Sequence, residues 1–252
     1  MALVSLRGVG KTFPSGTVAL RDASFAIGAG EFVSLLGPSG CGKSTALRII
    51  AGLAAPSAGA VDWSAEHGAG DIGFVFQEPT LMPWASVAAN VHLPLKLAGT
   101  GRDAARPRIR AMLERLGLGD FEDAYPRELS GGMKMRVSIA RALVTKPKIL
   151  LLDEPFAALD EITRFRLNND LLALWVALGQ TVVFVTHSVF ESVYLSSRVL
   201  VMTPRPGRVH ADITIDAPYP RGDDFRTSRE YAALCRTVSA ALAEAMRAEE
   251  AA

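Results

Sequence analysis

The sequence predicts an α/β fold in which a mainly parallel sheet is covered by helices on both faces, and three features carry that prediction. First, four apolar runs of strand length recur along the chain: Asp71 to Gln77 (DIGFVFQ), Lys148 to Glu154 (KILLLDE), Thr181 to His187 (TVVFVTH) and Arg198 to Met202 (RVLVM). Second, longer helical patterns separate them, and strands joined by helical crossovers build a parallel sheet. Third, a glycine-rich loop stands between a strand pattern and a helix pattern.

The elements follow in order. Residues 2–36 alternate short apolar segments with turn residues: LVSLRGV, a break at Pro14-Ser15-Gly16, VALRDASFAI, a break at Gly28-Ala29-Gly30, then EFVSLLG. That is strand-and-turn punctuation. STALRIIA (Ser44 to Ala51) has helical character and stops at Gly52. From about Val87 to Leu143 helix-like segments such as ARPRIRAMLERLGL dominate, which reads as a helical lobe inserted into the sheet domain. Beyond Pro204 come proline and glycine breaks, then a tail in which Leu234, Val238, Leu242 and Met246 recur every four residues and predict one apolar stripe. That stripe serves either to pack the tail on its own domain or to dock a partner.

Composition narrows the function. The 252 residues are 49% hydrophobic and 21% charged, the balance of a soluble globular chain large enough for a sizeable core. Lys plus Arg number 27 and Asp plus Glu 26, so no global basic field recruits nucleic acid or anionic lipid. The longest apolar runs, such as Leu171 to Leu178, reach about half of the ~18 residues a membrane span needs, so a membrane role requires a partner chain. MALVSLRGVGK lacks the pattern of a secretory signal, and a cytosolic location is expected. Cys41 and Cys235 form neither a metal-spacing pair nor a disulfide framework, and both are expected to be reduced thiols.

Gly37-Pro38-Ser39-Gly40-Cys41-Gly42-Lys43-Ser44 fits G-x-x-x-x-G-K-[ST] in the strand-loop-helix setting that the motif requires. Glycines let backbone N–H groups curl around an anion, and the helix N-terminus adds partial positive charge. A polyphosphate belongs there, with Lys43 reaching its β- and γ-phosphates and the Ser44 hydroxyl ligating Mg²⁺. A helix N-terminus also lowers a thiol pKa, so mild alkylation of Cys41, with ATP protecting it, is expected.

A phosphate loop needs an acid from a neighbouring strand to hold magnesium, and Asp153, at the end of ILLL, meets that need. Glu154 is then available to orient or deprotonate a water. The bland alternative for two adjacent acids is a solvated turn. His187, ending VVFVTH, reads on its own as a capped core histidine or as a third polar group of the site. Leu129 to Met133 (LSGGM) precede a basic helical segment, so Ser130, Gly131 and Gly132 form a second backbone nest at a helix start, suited to phosphate or merely to capping.

In these motifs the chain resembles the ATP-binding subunits of ABC transporters, over at least residues 2 to about 210. They arrive in family order: GPSGCGKST, ending in Thr45, as Walker A; VFQE, with Gln77, as the Q-loop; LSGGM as the signature; ILLLDEP as Walker B; AALD, with Asp160, as the D-loop; and Thr186-His187 as the switch histidine. The resemblance implies a P-loop NTPase (RecA-like) core with an N-terminal antiparallel β subdomain and an inserted helical subdomain. It divides the chain into one ATP-binding domain over 2–230, with its core at about 2–86 and 144–210 and its helical subdomain at about 87–143, and a helical tail over 221–252. It also implies that Phe13 stacks on adenine, supported by the Pro14-Ser15-Gly16 turn, that Ser44, Gln77 and Asp153 attend the metal, and that Glu154, His187, Gln77 and Lys43 serve hydrolysis. Met133 departs from the family's commonest signature, which has glutamine there; the phosphate-facing Ser130-Gly131-Gly132 is intact.

In the family two such subunits meet head to tail, each ATP lying between one subunit's P-loop and the other's signature, and hydrolysis is passed to membrane permease subunits. LSGGMKMRV and LMPWASVAANV further resemble the subgroup serving nitrate, sulfonate, taurine and bicarbonate importers. The expectation is therefore an importer ATPase, peripheral on the cytoplasmic face of the inner membrane, working with ATP and Mg²⁺. A second copy and permease subunits are its partners, and a periplasmic solute-binding protein is an indirect one. Leu81, Met82 and Trp84 are candidate docking residues for the permease, or else ordinary packing between lobes. The competing readings are a lipid or lipoprotein exporter and a soluble ATPase acting on nucleic acid or ribosomes. The latter is disfavoured by the lack of a second ATP-binding half, an inserted coiled coil or a basic patch, so no nucleic acid partner is expected.

Overall fold

The computed structural model describes residues 2–64 and 70–250, with the side chains of 248–250 left aside. In chain order they form β1 (Ala2–Thr12), β2 (Val18–Gly28), β3 (Phe32–Leu36), α1 (Lys43–Ile50), β4 (Ala58–Trp63), β5 (Ile72–Val75), α2 (Val87–Leu97), α3 (Arg102–Arg115), α4 (Gly131–Leu143), β6 (Ile149–Asp153) and α5 (Glu161–Leu178). Then follow β7 (Thr181–Thr186), α6 (Val189–Leu195), β8 (Arg198–Met202), β9 (Val209–Thr214), α7 (Asp223–Arg226) and α8 (Arg229–Glu250). The chain divides into two compact units, residues 1–67 with 181–252, and residues 68–180.

The first unit holds two strand sets. β1 pairs antiparallel with β2 on one side and β4 on the other, Leu6 facing Phe25 and Val61. β3 runs parallel between β7 and β8, with Leu35 opposite Val185 and Leu200, and β9 closes the edge antiparallel to β8. Every residue of β3 and β7 is buried, which is why both read as continuous apolar runs rather than alternating ones. The second unit pairs β5 with β6 in parallel, Phe74 opposite Leu151, and carries α2 to α5. The expected α/β architecture, a mixed and mostly parallel strand set with a separate antiparallel sheet, is what the chain adopts.

Two strands escaped the sequence reading. β4 (AGAVDW) has no buried residue and no alternation, so nothing marks it before it pairs with β1. β9 did leave a signal: Val209, Ala211 and Ile213 alternate with exposed neighbours, as an edge strand does, but they follow a proline- and glycine-rich stretch that reads as a break.

The tail is a helix packed on its own unit, against α6, β8 and β9, but its apolar face is not the one expected. Tyr231, Cys235, Val238 and Ala245 are buried, Leu234 and Leu242 are half-buried, and Met246 is 48% exposed. Four-residue steps overshoot a full turn by about 40° each, so a stripe of such steps rotates off the face within three repeats, whereas spacings of three and four stay on it. Tyr231 Oη donates to the Phe190 carbonyl, Tyr219 Oη to Leu195 and Tyr194 Oη to Arg221, so three phenols tie α6 to the chain from Tyr219 onward.

Burial pushes all three phenols up, Tyr219 to about 12, with Tyr194 and Tyr231 moving in the same direction. The unfolded chain releases these protons near pH 10 and the folded chain keeps them, so this stabilisation is complete below pH 10 and is lost as pH rises toward 12. Denaturant titrations from pH 9 to 12 should show the midpoint falling over that window, and a flat profile would contradict the burial of these hydroxyls.

Candidate functional site

In the first unit, β3 delivers the chain into the loop Gly37 to Gly42, and α1 begins at Lys43. Gly42, the N-cap of α1, has φ +102°, and a Cβ there would lie 2.6 Å from the Ala19 carbonyl oxygen, so both backbone angle and space demand glycine. The first turn of α1 carries no acid, leaving the helix dipole available to an anion. Lys43 is buried, and its ammonium donates to the Gly37 and Pro38 carbonyl oxygens, each at 2.9 Å, which holds the charge over the loop. Ser44 and Thr45 follow on the first turn, and Pro38, Ser39 and Gly40 form the outer rim. Cys41 is 1% exposed, its Sγ 3.9 Å from Lys43 Nζ. The expected alkylation therefore meets a buried thiol.

Phe13 sits in the turn after β1, 39% exposed, where its N–H donates to the Thr17 carbonyl and its carbonyl accepts from the Gly16 N–H. The turn at Pro14-Ser15-Gly16 thus holds an open aromatic face, with the Lys11 ammonium 5.6 Å from the ring centre. His187 is exposed at the end of β7, so it is not a core histidine. The turn beneath it is fixed by Thr186, whose hydroxyl donates to Glu191 at 2.6 Å and accepts from the Ser188 N–H at 3.0 Å.

In the second unit, Asp153 ends β6 with 6% exposure, and Glu154 follows in a left-handed conformation at φ +47°. For a residue with a Cβ this costs roughly 1 kcal/mol or more, and it ends the extended backbone of β6 directly after Asp153. β5 is the parallel neighbour, Val75 opposite Leu152, so Gln77 leaves the same end of the strand pair as the two acids. That is where open parallel sheets hold their ligands. Ser130 caps α4, its Oγ accepting from the Met133 N–H at 3.3 Å, with Gly131 and Gly132 in the first turn. Met133 serves this cap through its backbone, so the departure from glutamine leaves the nest intact. Asp160 caps α5, and the Thr163 N–H that it accepts at 2.9 Å holds its carboxyl below the usual range. The two caps are neighbours: a Cβ on Gly132 would stand 2.7 Å from Thr163 Cγ2, and one on Gly131 would stand 3.3 Å from Leu159 Cδ2.

The sequence reading missed three side chains, two in the second unit and one in the first, that hold the loops just described. Asn90, fully buried, accepts from the Met82 N–H and donates to the Met82, Ala85 and Ser86 carbonyls. Arg141 of α4 donates to the Pro79 and Thr80 carbonyls and to the Thr80 hydroxyl, while burial holds its pKa down. Glu191 braces the His187 turn. Only an amide amid apolar helix neighbours, as in VAANV, could have flagged Asn90; the others show no local signal.

The pattern of the family described as "ABC transporter" matches residues 20–157, more than half of the chain. A relative in Rhodopseudomonas palustris, an aliphatic sulfonates import ATP-binding protein, is 46% identical over 233 residues, 92% of this chain and 80% of its own. Among solved structures, cbiO1 of Clostridium perfringens, part of the ABC transporter complex cbiONQ, matches with TM-score 0.76 and 30% identity over 85% of this chain and 89% of its own. The dimeric ATP-binding cassette MJ0796 in a post-hydrolysis state, bound to ADP and phosphate, matches with TM-score 0.73 and 35% identity over 85% of this chain and all of its own. The side chains here suit ATP and Mg²⁺: a glycine loop whose shape excludes Cβ atoms, a lysine drawn over it, and hydroxyl and carboxylate oxygens of the kind a hard cation takes. The chain belongs to the ABC transporter family and is an ATP-binding, ATP-hydrolysing member of it, with ATP and Mg²⁺ as its cofactors.

Proposed function

We propose that this chain is the energy-coupling subunit of a membrane importer for a small anionic solute of the sulfonate, nitrate or bicarbonate class, bound to the cytoplasmic face of the inner membrane through permease subunits. The relative named for aliphatic sulfonates, alike over most of both chains, supports the importer and the solute class. Among the described residues no helix is long and apolar enough to cross a membrane, so the work must be handed to another chain.

The observation that carries the handover is Trp84. It is 76% exposed, on a loop whose backbone is pinned by Asn90 and Arg141, beside a groove of about 640 Å³ lined by Met82, Ala88, His92, Lys96, Arg106 and Glu122. A large exposed aromatic on a backbone pinned in this way fits a docking anchor, because little loop freedom remains to be lost on binding. This loop also begins two residues after β5, at Gln77, so the docking surface and the metal-facing glutamine share one short segment.

For hydrolysis the reading assigns each residue one task. Mg²⁺, when bound, neutralises phosphate charge. Ser44, Asp153 and Gln77 supply oxygen donors to it, while Lys43 and the Gly37–Thr45 amides bind the phosphates and Phe13 stacks on the base. Glu154 takes a proton from the water that bonds to the γ-phosphorus as the bond to the β,γ-bridging oxygen breaks, giving ADP and phosphate. His187 orients the γ-phosphate side. The Ser130-Gly131-Gly132 nest and Asp160 of a second copy complete the site head to tail, which accounts for two anion nests in one chain. ATP then favours the closed pair by differential affinity, and hydrolysis releases it.

The test is ATPase activity of the chain reconstituted with its permease and solute-loaded binding proteins. A sulfonate-type solute should stimulate hydrolysis. Trp84→Ala should cut transport by about tenfold while basal ATPase stays within about twofold, in line with loss of one buried aromatic anchor. Equal loss of both activities would remove Trp84 from docking.

A further inference from the structure

We infer that the loop joining β8 to β9, Thr203 to Arg208, is a strut that holds the shape of the phosphate loop, with Arg205 a positioning residue for ATP binding. This rests on the reading of Gly37–Thr45 as the phosphate loop. Arg205 Nε donates to the Gly40 carbonyl oxygen at 3.1 Å, and Nη2 of the same guanidinium lies 2.9 Å from where a Gly40 Cβ would stand. Gly207 lies against the next peptide: a Cβ there would be 1.9 Å from the Cys41 carbonyl oxygen. The strut is anchored on β2, with the Gly207 N–H donating to Ala19 at 2.9 Å and its carbonyl accepting from the Arg21 N–H at 3.1 Å. Thr203 closes it, its N–H donating to the Arg208 carbonyl at 2.9 Å and its hydroxyl accepting the Arg208 N–H at 3.0 Å.

The physical need is clear from the loop itself. An anion nest works only if successive peptides keep their N–H groups aimed inward, yet Gly40, at φ +77°, and Gly42, at φ +102°, have no side chains to hold them so. A peptide is planar, so fixing its oxygen from outside fixes its N–H inside. Arg205 holds the oxygen of the Gly40–Cys41 peptide, whose N–H turns in over the loop toward the Pro38 carbonyl at 3.4 Å, and Gly207 abuts the Cys41–Gly42 peptide, so two consecutive units at the crown of the loop are braced by a segment more than 160 residues away. The strut explains why position 207 is glycine although its backbone needs no left-handed angle.

The test compares Arg205→Ala, Arg205→Lys, Gly207→Ala and Lys43→Ala in the full chain by direct ATP titration and by melting with and without ATP. Arg205→Ala should weaken ATP binding roughly fivefold, the worth of one hydrogen bond from a charged donor at a partly exposed site. Its nucleotide-free melting temperature should stay within about 1 °C, as for other exposed substitutions, and its kcat at saturating ATP should hold, so that the loss falls on KM. Arg205→Lys should recover less than half, because lysine lacks the planar fork. Gly207→Ala should weaken binding more than Arg205→Ala, and if it does not fold, the Arg205 pair decides alone. Parental affinity in Arg205→Ala, or full recovery by lysine, overturns the positioning role while Lys43→Ala still loses ATP. If Lys43→Ala also keeps its affinity, the phosphate-loop reading falls and the strut with it.

Discussion

Glu154→Gln should bind ATP within about threefold of the parent and hydrolyse it 10²- to 10⁴-fold more slowly, the range for removal of a general base. The substitution keeps size and the φ +47° backbone and changes only the capacity to take a proton. Trapped ATP should then hold two copies together, so gel filtration with Mg²⁺-ATP should show a dimer that ADP does not support. Glu154→Gly separates chemistry from strain: it should be as inactive yet melt no lower than Glu154→Gln, because glycine adopts that angle freely. A near-normal turnover number for Glu154→Gln would take Glu154 out of the base role. The same loss with no dimer would place its effect elsewhere than in the closed state.

The pair of acids also shows where a sequence suffices and where it stops. Adjacent carboxylates ending a run such as ILLL are visible by their incongruity, since an apolar strand that ends in charge must meet a partner. The proposed division of labour likewise starts from the sequence, from two acids where one metal ligand is needed. What no spacing conveyed is the left-handed turn at Glu154, because an L-residue at positive φ is decided by its surroundings. The phosphate loop was legible for the same reason as the acids: its glycines answer to local backbone geometry. Asn90, Arg141 and Glu191 were not, because each acts on main-chain or side-chain groups through hydrogen bonds that any polar residue of similar reach could make in some other fold. Arg141 reaches back 61 residues to Thr80, and Gly207 is shaped by Cys41; such pairings exist only after the chain has folded. The tail failed differently: a four-residue repeat was real, but the buried face follows the 3.6-residue turn.

The largest loss of stability should come from Arg221, which no motif marks. It is 5% exposed, and its guanidinium donates to the Val193, Tyr194, Ser196 and Ala217 carbonyl oxygens at 2.8 to 3.0 Å, with Ile215 further off at 3.5 Å. It lies 4.0 Å from the centre of the Tyr219 ring. Burial pulls its pKa down, so desolvation works against the charge, and the carbonyl array is what retains it. Arg221→Ala strips donors from carbonyls at the C-terminal end of α6, where a helix cannot satisfy its own, and leaves them in a dry site. The expected cost is about 3 kcal/mol, or a fall in Tm of about 8 °C for a chain this long. Arg198 makes the useful contrast. Its bonds to Asp212, at 2.6 and 2.7 Å, are shorter, with Glu31 at 3.2 Å and one carbonyl, Ala26, at 2.9 Å, but the two acids are 46% and 35% exposed, so water replaces much of what Arg198→Ala removes, and about 1 kcal/mol is expected. Arg221→Lys should recover less than half, since three N–H groups on one nitrogen cannot span the same carbonyls. If Arg198→Ala proves the costlier of the two, the array of four carbonyls on Arg221 is not what chiefly stabilises this unit. α6 starts two residues after His187, so partial unfolding of the tail should also lower turnover before it lowers ATP affinity. Loss of affinity first would mean that the tail bears on the phosphate loop instead of on the histidine.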